Sequence, residues 1–263
     1  MNTILKIGKH ELYDVFRGKW VIVYTLFFWI ITDSLFRFGG DPGRVILSLT
    51  NLVLIVIPLV SMIFGSLYLY NSREFIELLL SQPIDRRYLF MGMFGGIAIP
   101  VGFGFVIGAG LPFLYFGGRA AGDLFTLILL LAAGFLLTLS FLALSFFISV
   151  RIEDRLKGFG LAFLLWLFFT VIYDGLVLIF VYAFGDYPLE RVMIILSMLN
   201  PVDLVRIALL MELDAAVMMG YTGAVFQKFF GSLAGMLITL GSMMVWILLP
   251  FYLGLRSFVK KDF

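Results

Sequence analysis

Four stretches of the chain run without a single Asp, Glu, Lys or Arg: Val45 to Ser72, Tyr88 to Gly118, Leu124 to Val150 and Phe229 to Leu255. A hydrocarbon core about 30 Å thick takes roughly 20 residues of helix at about 1.5 Å each, so every one of these is long enough to cross a bilayer. Two further apolar runs carry ionisable residues and still read as crossings. Trp20 to Phe38 holds Asp33 and Arg37 near its end, four positions apart and therefore on one helix face, where they can pair or reach headgroup water. Gly158 to Gly185 holds Asp174, the one deep ionisable group. The pattern predicts an all-α integral membrane protein, a single transmembrane domain over 1–263 with six transmembrane helices at about 20–38, 46–70, 91–116, 124–150, 159–184 and 230–255. Val192 to Val202 is a seventh apolar run, but eleven residues ending in Asn200-Pro201-Val202 are too few to cross.

The connections carry their own pattern. Residues 3–17 alternate Ile4, Leu5, Ile7, Leu12, Val15 and Phe16 with Lys6, Lys9, His10, Asp14 and Arg17 at helical spacing, which predicts an amphipathic interfacial helix on the inner leaflet. The loop at 71–90 reads as two short helices, because Phe75, Ile76, Leu78, Leu79 and Leu80 cluster before Pro83 breaks the segment. An apolar helix in a connecting loop suggests a docking surface. The segment 186–228 is the one extended outer connection, with short helices expected to lie on or dip into the membrane face. Glycines and prolines crowd the third span from Gly92 to Pro112, which permits close helix approach.

Composition agrees: 62% of residues are hydrophobic, 14% are charged, and there is no cysteine. Disulfides, thiolate metal sites and cysteine catalysis are therefore excluded. The placement of charge says more than the net value. The two ends and the even-numbered loops hold thirteen basic residues, from Lys6 to Lys261, and the odd-numbered loops hold six. The excess assigns the N-terminus, the C-terminus and the second and fourth loops to the cytoplasmic side of the cell inner membrane. The charged N-terminal stretch does not read as a cleavable signal peptide.

Candidate chemistry is sparse. No G-x-x-x-x-G-K-[ST] loop is present, so a phosphate-cradling site of that kind is excluded. His10 is the sole histidine, which leaves no partner for a His metal site or a Ser-His-Asp arrangement. Eight of the twelve methionines lie from Met193 onward, including Met218-Met219 and Met243-Met244. Thioethers suit copper(I), yet adjacent helix positions do not share a face, and packing is the favoured reading. Asp174 is read either as an intramembrane functional carboxylate or as a structural partner of Tyr173, Tyr182 or a nearby Ser or Thr.

The run from Asn71 to Ile84 contains Glu74 and Glu77, Leu79-Leu80-Ser81 and Pro83. It resembles the segment that follows the second span in type-2 ATP-binding-cassette transporter permeases, although Phe75-Ile76 stands where many members carry Gly-Thr. In that family the segment is the cytoplasmic coupling helix seated in a groove of the ATPase. The resemblance implies that Arg73, Glu74, Phe75, Glu77, Leu78, Leu79, Ser81 and Pro83 contact an ABC-type ATPase subunit, and that the permease is a homodimer. A second stretch, Leu199 to Arg206, resembles the outer-loop motif of the Nos-type permeases that serve nitrous oxide reductase maturation. It implies roles for Asn200, Pro201, Asp203 and Arg206 and a periplasmic accessory protein at the outer loop.

Taken with the topology, these resemblances imply the membrane-spanning permease subunit of an ATP-driven exporter, in the Nos-type reading one acting in copper-enzyme maturation. It would be a transport subunit and not an enzyme, with no catalytic or metal residue and no cofactor of its own. ATP and Mg would sit on the partner ATPase. Membrane lipid is the remaining expected contact, and nucleic acid is not one. The alternatives are a proton-coupled secondary transporter using Asp174, and a membrane-embedded enzyme, which would need clustered His, Asp or Glu at the bilayer boundary.

Overall fold

The computed structural model describes residues 19–39, 42–81, 84–117, 124–185, 187, 189–212 and 233–261, and the expected interfacial helix at 3–17 lies outside them. Every element among the described residues is a helix. Six are long and apolar enough to cross a membrane: Lys19–Gly39, Gly43–Asn71, Arg86–Phe116, Leu124–Arg151, Arg155–Ala183 and Gly235–Lys260, called here the first to sixth spans. Two spans begin outside their apolar runs because an aspartate caps them. The third starts at Arg86, with the Asp85 carboxylate accepting the Arg87 backbone N–H at 2.9 Å. The fifth starts at Arg155, with Asp154 accepting from Leu156 and Lys157 at 2.8 and 3.2 Å.

The fourth span is the centre of the bundle and packs against the second, third and sixth, while the first packs mainly on the third. Its side chains Leu137, Phe141, Leu142 and Phe146 are fully buried. Phe146 meets the edges of Phe90 and Phe94 at 5.7 and 5.3 Å, which ties the third span to the fourth. Lipid offers no hydrophobic drive between helices, so polar contacts also matter. Ser145 donates to the Met62 carbonyl at 3.1 Å, and its one proton is thereby used. Ser66, 3.1 Å from the Ser145 hydroxyl, is therefore the donor in that pair.

The small residues of the third span work by close approach. A Cβ at Gly108 would lie 2.5 Å from the Thr25 backbone carbonyl of the first span. Backbone cannot yield as a side-chain tip can. Gly108→Val should therefore destabilise the protein by about 1–3 kcal/mol, read as a lower melting temperature in detergent. Gly95, where an added Cβ meets nothing within 4 Å, serves as the tolerant control.

One end of the bundle gathers three connections. The Tyr70 hydroxyl donates to the Ile152 carbonyl at 2.9 Å, joining the last turn of the second span to the loop after the fourth. Arg86 donates to the Val259 and Lys261 carbonyls at 3.1 and 2.6 Å, and Lys261 Nζ reaches the Val150 carbonyl at 2.9 Å. These bonds close the last turns of the fourth and sixth spans, whose terminal carbonyls have no partner within the helix.

Candidate functional site

At the end gathered by these bonds, the loop after the second span folds into one helix, Arg73–Leu80, and not the expected pair. The second expected piece is the beginning of the third span, which Asp85 starts early. The helix divides its apolar residues between two faces. Ile76 is buried, and Leu79 and Leu80 pack against the core. Phe75 and Leu78, three apart and hence neighbours, face outward at 42% and 61% exposure. Exposed Glu74 and Glu77 flank them, and Arg73 is held back by donating to the Ile152 carbonyl at 3.3 Å, with its guanidinium over the Tyr70 ring at 5.2 Å. Ser81 bonds the Leu78 carbonyl at 2.7 Å, while Pro83 lies outside the described residues. The result is a short helix anchored on one side and apolar on the other.

A second constellation sits in the connection between the fifth and sixth spans. Helices Glu190–Met198 and Pro201–Glu212 form a hairpin, with a bend of 114° at Leu199-Asn200. Its tip packs inside the protein, where Asn200, Val202 and Leu204 are fully buried. Such a turn inside a membrane protein survives only if its backbone groups find partners in the protein. They do. Asn200 accepts the Val202 N–H at 3.0 Å as an N-cap, Pro201 needs no donor partner at the first helical position, and Leu204 N–H reaches the Asn200 carbonyl at 3.1 Å. Trp246 of the sixth span donates to the Met198 carbonyl at 3.1 Å, and Tyr173 to the Leu196 carbonyl at 2.6 Å.

The fifth span is shaped to receive this tip. Halfway along, Phe168–Ile172 is a π turn, in which the backbone bonds reach one residue further than in an α-helix. Within it, the Phe169 carbonyl accepts from the Asn200 side chain at 2.9 Å. Asn200 thus uses both ends of its amide, one to cap the hairpin and one to hold the span. Five residues on, about 7.5 Å along the axis, Asp174 receives a hydrogen from Arg206 Nη1 at 2.7 Å. The same nitrogen gives its other hydrogen to Asp203 at 2.8 Å. One guanidinium therefore neutralises one of two carboxylates, in side chains between 13% and 33% exposed.

The structure brings together Asp174, Asn200, Asp203 and Arg206, which the sequence offered as two unrelated candidates. Asp174 is partnered by Arg206 and not by Tyr173, whose hydroxyl is spent on Leu196, nor by Tyr182, which is 93% exposed. The Asp203–Arg206 contact was readable as an i,i+3 pair, whereas Tyr173, Trp246 and the π turn gave no sequence signal. Asp33 and Arg37 pair as expected at 2.7 Å. Met243 is buried and Met244 half exposed on another face, and Met193 and Met198 pack against the core, whereas Met218 and Met219 lie outside the described residues.

With this geometry in place, comparison with known proteins is informative. A family model described as ABC-2 family transporter protein matches residues 45–263. A protein of Pseudomonas aeruginosa named as a probable ABC transporter permease protein NosY is 28% identical over 233 residues, covering 82% of this chain and 84% of that one. A protein of the same name from Stutzerimonas stutzeri is 26% identical over 224 residues, covering 79% and 81%.

Proposed function

We propose, for a chain that belongs to the ABC-2 transporter family and is a permease subunit, that it works as the membrane path of an ATP-driven exporter. In this reading two copies form the path and two ATPase subunits dock at the gathered end of the bundle. The observation that carries it is the helix Arg73–Leu80, which holds Phe75 and Leu78 outward, where no described core residue covers them. A fifth span that turns Phe163, Leu164, Val171 and Leu176 outward supports a second copy or lipid along its length. The NosY name of the two relatives, together with the Asn200 to Arg206 motif, supports the Nos-type branch, and the reading extends from that resemblance to a place in copper-enzyme maturation with a periplasmic protein meeting the hairpin. Reconstitution of the full chain with an ABC-type ATPase subunit that co-purifies with it tests this. ATP-dependent uptake into inside-out vesicles, whose lumen is the outer side, is expected; an ATPase that the permease neither binds nor stimulates would overturn it.

A carrier that titrates Asp174 would have to displace Arg206 from 2.7 Å in each cycle, and the site offers no second partner to take the guanidinium except Asp203. Sidedness follows from the basic excess at the gathered end. Single cysteines at Asp85 and Asp123 should label from opposite faces, Asp85 from the cytoplasm. Labelling of both from one face would overturn the topology.

A further inference from the structure

At the gathered end, a cleft of about 380 Å³ opens between the third and sixth spans. It is lined by the cations Arg87, Arg256 and Lys260 and by Met91, Tyr252, Leu255 and Val259, of which Met91, Tyr252 and Leu255 lie further from the helix ends. On the sixth span, Tyr252, Arg256 and Lys260 recur at i, i+4 and i+8, so they form one stripe. Arg87 and Met91 face that stripe one turn apart on the third span. Among the described residues none of the three cations forms an ion pair: Glu153 is taken by Lys261, and the Asp85 carboxylate receives the Arg87 backbone N–H.

We infer that this cleft binds the phosphate-bearing head of an anionic phospholipid. Charge and depth together carry the assignment. Arg87 and Lys260 stand in the terminal turns of their spans, which fall among the headgroups when those spans cross, and Tyr252 lies about 12 Å further from the end along the helix. The cations therefore end the cleft where a lipid phosphate lies, and Met91, Tyr252 and Leu255 continue it where an acyl chain lies. A soluble anion has no use for that apolar floor. Two guanidinium groups supply forked donors suited to phosphate oxygens, and Lys260 adds a point charge. Basic pockets between helix ends are the usual seat of such heads. The inference does not depend on the transport reading.

Native mass spectrometry of the full chain tests it, with dioleoylphosphatidylglycerol and dioleoylphosphatidylcholine added in equal amounts to the detergent-purified protein. Phosphatidylglycerol should be retained preferentially. The triple variant Arg87→Gln, Arg256→Gln, Lys260→Gln should lose it by roughly fivefold per cation, about 100-fold together. A control that removes the same charge elsewhere, Lys19→Gln, Arg155→Gln, Lys157→Gln, should retain it. Met91→Trp keeps every cation and fills the floor, so it should also lose the lipid, and it serves should the triple variant fold poorly. Equal retention of both lipids, or unchanged binding in the folded cleft variants, would overturn the inference. Displacement by inorganic phosphate would assign the site to a soluble anion, and displacement by the ATPase subunit to a protein contact; either result overturns the lipid.

Discussion

Arg206→Met should be the most damaging single change in the connection between the fifth and sixth spans, and Asp174→Asn among the mildest. The asymmetry follows from the count of charges. Arg206 serves two carboxylates, at 2.7 and 2.8 Å, so its loss leaves Asp174 and Asp203 facing one another with no cation between them. Removing one partner of a buried ion pair costs about 3–5 kcal/mol, and the third of each outer side chain left exposed brings this toward about 2–3 kcal/mol. Asp174→Asn instead leaves the Arg206–Asp203 pair and keeps an amide oxygen that still accepts the guanidinium hydrogen. Its cost should stay below about 1 kcal/mol. Melting temperatures in detergent check both, and an Arg206→Met protein as stable as the unaltered chain would remove the triad from any role in holding the hairpin.

Stability alone does not separate a brace from a moving part. Removing all three charges, with Asp174→Asn, Asp203→Asn and Arg206→Met together, leaves no unpaired ion and should recover most of the lost stability. Transport is the discriminating readout. Asn200 and Tyr173 bind the hairpin to the fifth span independently, so the two elements stay joined without the triad. If the triple variant melts normally and transports normally, the triad is a brace. If it melts normally and does not transport, the ion pairs act in the motion itself. Asp174→Asn alone should leave transport largely intact, because a path driven by ATP needs no titrating carrier.

How much of this was legible in the sequence depends on the range of the interaction. The six spans were readable because hydrocarbon demands about 20 unbroken apolar residues, a constraint local to each segment. Asp33–Arg37 and Asp203–Arg206 were readable as helix-face neighbours. Asp174–Arg206 was not, since it crosses 32 positions and two turns of chain, and only the packing of the hairpin against the fifth span brings the groups together. That packing was itself hidden. An uncharged run of eleven residues holding Asn200-Pro201 says that the run alone is too short to cross, not what its turn packs against. The π turn is equally silent, because Phe168 to Ile172 is an uncharged run that would suit an α-helix, and its widening shows only in the folded backbone. In the loop helix, the period placed Phe75, Ile76, Leu78 and Leu79 on a helix, but which of them face inward is decided by the neighbouring spans.

That division of faces sharpens the largest effect expected at the other end of the bundle. Leu78 is 61% exposed and Phe75 42%, so both can be altered without opening the core, whereas Ile76 is buried. Leu78→Glu should therefore leave six inserted spans and an unchanged melting temperature while releasing the ATPase. An unpaired carboxylate at the centre of a desolvated contact costs about 3 kcal/mol or more, over 100-fold in affinity. Glu77, on the exposed rim, contributes less, and Glu77→Ala should cost about tenfold at most. Ile76→Glu is the structural counterpart: it places the charge against the core and should lower the melting temperature of the permease alone. The competing account is that Phe75 and Leu78 rest on the inner leaflet, where a single Glu would tilt the helix toward water without touching the ATPase. Pull-down of the ATPase from detergent extracts decides, because detergent removes the leaflet and keeps the protein contact. Loss of the ATPase with Leu78→Glu and retention with Glu77→Ala would place the contact on this face. Full recovery with a well-folded Leu78→Glu protein would mean that the ATPase docks elsewhere.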